Sequence, residues 1–229
     1  QDCHFLTVQN TIVHEGLYNA GHKKGKRGYG TQWGGSPASY YRNLLADNKS
    51  RSPRINGARG EDYVVFLEYI NNVNYNFGGN GGCYGGENTA DITSYNGMNS
   101  AHECNFIGNY YKPGPASNKS GVVLVTSSYA RSGATSWGPA KWYVNGNVIE
   151  GDANRTADNW KAMSAEHYSL SDIRVEERIV PEHNYYKYSK AGNVGTYDPE
   201  MYMIYNVESG EQAYQTVLRT AGTIRRDAV

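Results

Sequence analysis

The chain has 229 residues, 19% of them charged, with Lys/Arg and Asp/Glu balanced at 22 each. That length suits one large domain, no apolar run is long enough to span a bilayer, and nothing in the composition suggests disorder. Abundant Tyr (21) and Gly (27) favour an all-β chain over a helical one.

The charge is unevenly spread. Residues 1–60 hold nine Lys/Arg against three Asp/Glu (+6), and the remainder hold 13 against 19 (−6). A basic third of a neutral chain fits either an anionic ligand or a solvated surface. Of the three cysteines, Cys83 and Cys104 could bridge, but nothing resembles a disulfide framework or a zinc site. Asn-x-Ser/Thr sequons begin at Asn48, Asn118 and Asn154 and matter only in a eukaryotic secretory pathway. The chain opens on Gln1 in what reads as mid-strand, leaving a removed leader or missing ends as the two readings.

The first predicted strand, 5–10, is a short β run closed by Asn10. A basic loop follows, His22-Lys-Lys-Gly-Lys-Arg27, then the aromatic-glycine segment Tyr29-Gly-Thr-Gln-Trp-Gly-Gly35. The strand pattern recurs at 38–43, 67–72, 104–109 and 142–147, closed by Asn43, Asn72, Asn109 and Asn147. The intervals between the marked Asn residues are 33, 29, 37 and 38, the signature of a stacked solenoid with variable insertions. Asn tolerates the left-handed turn at a strand end, and stacked Asn side chains can bond from rung to rung as a ladder. Successive strands would then pair in parallel. The other reading of the pattern is Asn in the hairpins of an antiparallel fold.

Residues 85–101 and 112–140 read as long polar loops. Near the end, Ser209 with Gln212 forms a capping box. Ala213, Tyr214, Val217, Leu218 and Ala221 follow at helical spacing, with Gly222 as the stop. This is a short helix packed against the end of the solenoid.

The candidate chemistry lies between 22 and 59. Besides the basic loop it holds Arg51-Ser-Pro-Arg54 and Arg59. Neighbouring rungs lie about 4.8 Å apart, so groups distant in sequence can line one groove. Arg binds carboxylate bidentately through its planar fork, whereas Lys acts as a mobile point charge.

Here the residues resemble a known family. Trp33-Gly-Gly35, Asn43-Leu-Leu-Ala-Asp-Asn48, Arg51-Ser-Pro-Arg54, Asn71-Asn-Val-Asn-Tyr-Asn76, Tyr84-Gly-Gly-Glu87 and Asn109-Tyr-Tyr-Lys-Pro-Gly-Pro115 are similar to family 1 polysaccharide lyases, the pectate lyases. Segments 141–147, 156–160, 211–218 and 226–229 extend the resemblance over nearly the whole chain, in one order. It implies one domain over 1–229, a right-handed parallel β-helix with long loops and a short C-terminal helix. It also implies a secreted or periplasmic, monomeric enzyme acting on polygalacturonate or pectin by β-elimination.

The family's base maps onto Arg51, the first Arg of Arg-x-Pro-Arg. A guanidinium with a pKa above ~12 is an uncomfortable base, so transfer would be concerted, in a crowded cationic groove. The family's carboxylate-binding Lys falls at Lys24, with Lys23 one position away. Arg54, Lys23, His22, Arg59 and Trp33 are the candidate substrate-binding residues. Each has a plainer alternative: a solvated loop for the lysines, a structural brace for Arg54, a hydrogen-bonding partner for His22 and packing for Trp33. Tyr84 and Lys112 fall at recurrent family positions without an assignable step. Many members carry a further Arg five residues after the first, where this chain has Asn56.

The resemblance also implies Ca2+, a hard cation taking carboxylate and carbonyl oxygens. The family's acidic ligands precede the stretch equivalent to 5–10. Neither Asp2 nor Glu15 matches them, so a fragment lacking its N-terminal rungs and extreme C-terminus is expected. A glycoside hydrolase on the same scaffold would need paired carboxylates, whereas the cluster here is cationic. A non-catalytic β-helix binding acidic polysaccharide is the stronger rival. No nucleic-acid motif or phosphate-cradling loop accompanies the basic patch.

Overall fold

The computed structural model describes residues 3–56, 65–78, 82–86, 102–118, 124–127, 140–166, 168–181 and 203–222. Its strands form three five-stranded sheets, each paired in parallel throughout. The first sheet holds β1 (Leu6–Gln9), β4 (Ala38–Tyr41), β7 (Val65–Ile70), β10 (His102–Ile107) and β13 (Lys141–Asn145). These are the five runs marked by Asn in the sequence. The second holds β2 (Ile12–His14), β5 (Leu44–Ala46), β8 (Val73–Tyr75), β11 (Tyr110–Lys112) and β14 (Val148–Ile149). The third holds β3 (Gln32–Trp33), β6 (Arg54–Ile55), β9 (Cys83–Gly85), β12 (Leu124–Ser127) and β15 (Met163–Glu166). The chain thus visits the three sheets in turn, rung after rung, as a parallel β-helix.

Alternation along the strands builds the core in columns. Leu6, Ala38, Leu67, Cys104 and Trp142 share one register position of the first sheet, and Val8, Tyr40, Tyr69, Phe106 and Val144 share the next inward one. Trp33 stacks on Tyr40 at 4.4 Å, and Tyr69 on Phe106 at 4.9 Å. Cys83 and Cys104 are free thiols within this core, not a bridge, and burial raises both pKa values well above that of a free thiol.

The Asn ladder is present but shifted by one residue at its start. Asn43, Asn72, Asn109 and Asn147 are fully buried, and each accepts from the backbone N–H of the ladder residue one rung earlier. The first of those donors is Thr11, not Asn10. Asn10 occupies the left-handed position just before the ladder, shared with Arg42, Asn71, Gly108 and Gly146. The turn therefore uses two residues, one to reverse the chain and one to bond along the stack. Asn159, at the head of a 3-10 turn (Asn159–Ala162), extends the ladder beyond Asn147. The loop expected at 112–140 contains β12, which pairs with β9 and β15. Of the sequon residues, Asn48 is buried and bonded to the first rung, whereas Asn118 and Asn154 are exposed.

Two short helices flank the last strand of the third sheet, α1 (Ala153–Ala157) between β14 and β15 and α2 (Leu170–Ile173) after β15. The longer α3 (Gly210–Thr220) starts at Ser209 with the expected capping box to Gln212. It does not cap the stack's end as expected but lies along the flank of the second sheet. Gly210 abuts Val148, Tyr214 stacks on Tyr110 at 4.5 Å, and the Gly222 N–H donates to the Asn10 carbonyl at 2.7 Å. Ala213 and Val217 are buried in that contact, while Leu218 faces solvent. On the outer face of the first sheet, the buried Glu68 carboxylate accepts from Arg178, Asn105 and the Ile204 N–H, fastening the returning chain. Among the described residues, no helix is long and apolar enough to cross a membrane.

Candidate functional site

The third sheet presents a polar column to solvent. Gln32, Arg54 and Tyr84 share one register position on successive rungs, as do Trp33, Ile55 and Gly85. Because Trp33 and Ile55 pack inward, the alternation turns the first column outward. The Arg54 guanidinium lies over the Tyr84 ring at 5.3 Å.

Arg51 enters beside this column from the turn between the second and third sheets. Its φ of 62° is left-handed, a conformation that swings the chain so that Ser52 and Pro53 are buried. The Thr31 N–H donates to the Arg51 carbonyl at 2.8 Å, and the Ser52 N–H to that of Gly82 at 2.9 Å, so the turn is tied to both neighbouring rungs. A Cβ on Gly30 would sit 2.6 Å from the Arg51 carbonyl oxygen, which explains glycine there.

The Arg51 side chain is held by neutral groups. Its Nη1 donates to Gln32 Oε1 at 2.6 Å, and its guanidinium lies 4.3 Å from the centre of the Tyr29 ring. The Arg27 guanidinium lies over the same ring at 5.3 Å. Among the described residues, no carboxylate pairs with Arg27 or Arg51, and the Nε of each is buried without an acceptor. Two guanidiniums without a described carboxylate partner can meet an anion through their Nη groups.

The basic loop is tied to the same two rungs. The Arg27 N–H donates to the Tyr18 carbonyl and the Lys49 N–H to that of Gly28, each at 2.7 Å. His22 closes the loop's tip, accepting at Nδ1 from the Lys24 N–H and at its carbonyl from the Gly25 N–H. That is the hydrogen-bonding alternative foreseen for it. Lys23 and Lys24 are exposed. Trp33 packs in the aromatic stack under the column. Arg59 lies outside the described residues.

Asn56, where the resemblance leads one to expect Arg, is buried against Gly34 and adds no cation. Lys112 is committed to Glu150 at 2.7 Å on the second sheet, away from the column. Arg27, Tyr29 and Gln32 were not singled out individually from the sequence. For Gln32 the signal was available, since alternation with an inward Trp33 turns it outward.

The calcium implied by the resemblance would need a cluster of oxygen donors. Among the described residues, no three His, Cys, Asp or Glu side chains gather to hold a metal ion. The two acids nearest in sequence are already engaged: Glu15 with His14 at 2.9 Å, and Asp47 with Asn76 at 2.6 Å.

Comparison with known proteins points one way. The chain is 32% identical over 164 residues to a probable pectate lyase C of Aspergillus terreus, covering 71% of this chain and 31% of that protein. It is 34% identical over 177 residues to the probable pectate lyase C of Aspergillus flavus (77% and 34%). The Aspergillus fumigatus protein of the same name is 30% identical over 168 residues (73% and 32%). No family model matches the chain. It spans about a third of the length of these curated relatives, and over that third its sequence is pectate-lyase-like.

Proposed function

We propose that the chain carries the catalytic groove of a pectate lyase, cleaving α-1,4-linked polygalacturonate by β-elimination outside the cell, as a monomer. The observation that carries this reading is the Arg51 guanidinium, set on Tyr29 and Gln32 with no carboxylate partner among the described residues, beside the outward Arg54. A guanidinium without a described carboxylate partner, three residues from a second outward Arg, suits a polymer bearing one carboxylate per sugar.

In this reading Arg51 takes the proton from C5 of a galacturonate as its neutral guanidine, a minor form in exchange with the resting guanidinium, and the transfer returns it to the guanidinium. The electron pair left at C5 forms the C4=C5 double bond as the C4–O4 bond breaks, and the leaving O4 takes a proton from water. Charge building on the adjacent carboxylate is met by Lys24 and Arg54, with Lys23 and His22 at the groove's rim. Arg59 and Trp33 are support, Arg59 as a cation and Trp33 as the floor beneath the column. None of these steps is routed through calcium.

The test is ultraviolet absorbance of polygalacturonate incubated with the chain, with calcium and with chelator. A rise from unsaturated uronide that disappears in Arg51→Ala supports the lyase. No rise in either condition, with retained binding of polygalacturonate, leaves a piece severed from its calcium ligands or a β-helix that binds acidic polysaccharide without cleaving it, and the same assay on the full-length gene product chooses between them.

A further inference from the structure

We propose that Tyr29 is a positioning residue that sets Arg27 and Arg51 as a pair of carboxylate-binding guanidiniums, with Gln32 fixing the rotation of Arg51. This rests on the reading of the groove as a polygalacturonate site and adds two groups to it, Tyr29 as support and Arg27 as a ligand.

The geometry is specific. One aromatic ring lies under two guanidiniums, at 5.3 Å from Arg27 and 4.3 Å from Arg51. An aromatic face attracts each cation, but the two cations repel one another, so the arrangement is best satisfied when an anion joins them. Both buried Nε atoms lack an acceptor. The ring itself is fixed through its backbone. A Cβ on Gly16 would come within 2.8 Å of the Tyr29 carbonyl oxygen, and one on Gly28 within 2.9 Å of the Gly16 carbonyl oxygen. Tyr29 also bridges to Ser50, the residue before Arg51.

Gln32 completes the device. It offers Arg51 an acceptor at 2.6 Å, which orients the guanidinium as a carboxylate would while leaving its charge unspent. A Glu at this position would occupy the same bond and neutralise the cation that the substrate needs.

The experiment is titration calorimetry of the full chain with trigalacturonate, at two salt concentrations, alongside turnover of polygalacturonate. Expected are a roughly tenfold loss of affinity in Tyr29→Leu, recovery to near wild type in Tyr29→Phe, and losses in Arg27→Gln and Gln32→Glu. Arg27→Gln and Gln32→Glu should also flatten the salt dependence, a change that a merely structural role would not produce. Arg27→Gln and Gln32→Glu alter partly exposed side chains, so they test the pair even if Tyr29→Leu misfolds. Unchanged affinity in Arg27→Gln and Gln32→Glu overturns the inference, as does a wild-type chain that fails to bind trigalacturonate. Binding that follows the expected pattern without any turnover leaves the inference standing and removes only the lyase reading.

Discussion

The chemical role proposed for Arg51 sits on a left-handed backbone, and two substitutions separate the role from the conformation. A left-handed non-glycine residue costs about 1–3 kcal/mol, a strain that glycine avoids and alanine keeps. Arg51→Gly and Arg51→Ala should both lower turnover of polygalacturonate by about 10²–10⁴-fold, the range for losing a proton-transfer group. In thermal denaturation, however, Arg51→Gly should be the more stable by about 1 kcal/mol. An Ala variant as stable as the Gly variant would show that the turn at Arg51 carries no strain. A second residue sets a pH limit on the fold. His102 is buried between Gly86 and Trp142, and desolvation lowers its pKa to about 4. The unfolded chain takes up that proton near pH 6.5 and the folded chain does not. The stability due to neutral His102 is thus complete above about pH 6.5 and lost as pH falls toward about 4, on the order of 3 kcal/mol in all. Denaturant unfolding of His102→Gln across that interval should show a flatter profile than wild type.

At the scale of elements, the ladder is where the sequence was most legible. Asn recurring behind β-branched and aromatic runs marked all five strands of the first sheet, because one periodic bond requires one residue type. Asn10 misled for a physical reason: Asn serves equally in the left-handed turn and in the ladder, and spacing cannot separate adjacent roles. The third sheet was harder to read, since β3 and β6 are two residues long and show no period. Its candidate site residues stand out instead through charge and motif, which mark Arg51 and Arg54 but not the neutral Tyr29 and Gln32 that hold Arg51. The ladder also predicts graded costs. Asn109→Ala would strand the Asn72 N–H and take the Nδ2 donor from the Tyr69 carbonyl, both buried, while Asn72 Nδ2 keeps the Tyr40 and Ile70 carbonyls. Two such groups amount to about 2–5 kcal/mol. Asn43→Ala strands chiefly the part-buried Thr11 N–H and Val8 carbonyl, and should cost about half as much. Equal losses in denaturant unfolding would mean that the ladder is not the source.

Across the whole molecule, a stack in which each rung touches only its neighbours is quasi-one-dimensional and can unravel from an end. The α3 helix opposes this. At 1.5 Å per residue, residues 210–222 span about 18 Å, close to the ~19 Å separating five stacked strands. Its contacts run accordingly from Val148 on the fifth rung, through Tyr110 on the fourth, to Asn10 and Ile12 on the first. The helix therefore links the first rung to the fifth directly, making separate fraying of either more costly. Val217 is fully buried beneath it and Leu218, one residue on, is more than half exposed. Val217→Asp places a charge in the contact and should detach the helix. Its unfolding should broaden, with a lower denaturant slope or two transitions, because the rungs then melt in sequence. Leu218→Asp should unfold like wild type. A Val217→Asp chain that keeps one sharp transition, merely at lower denaturant, would show that the rungs couple through their own strands and that the helix adds stability without cooperativity.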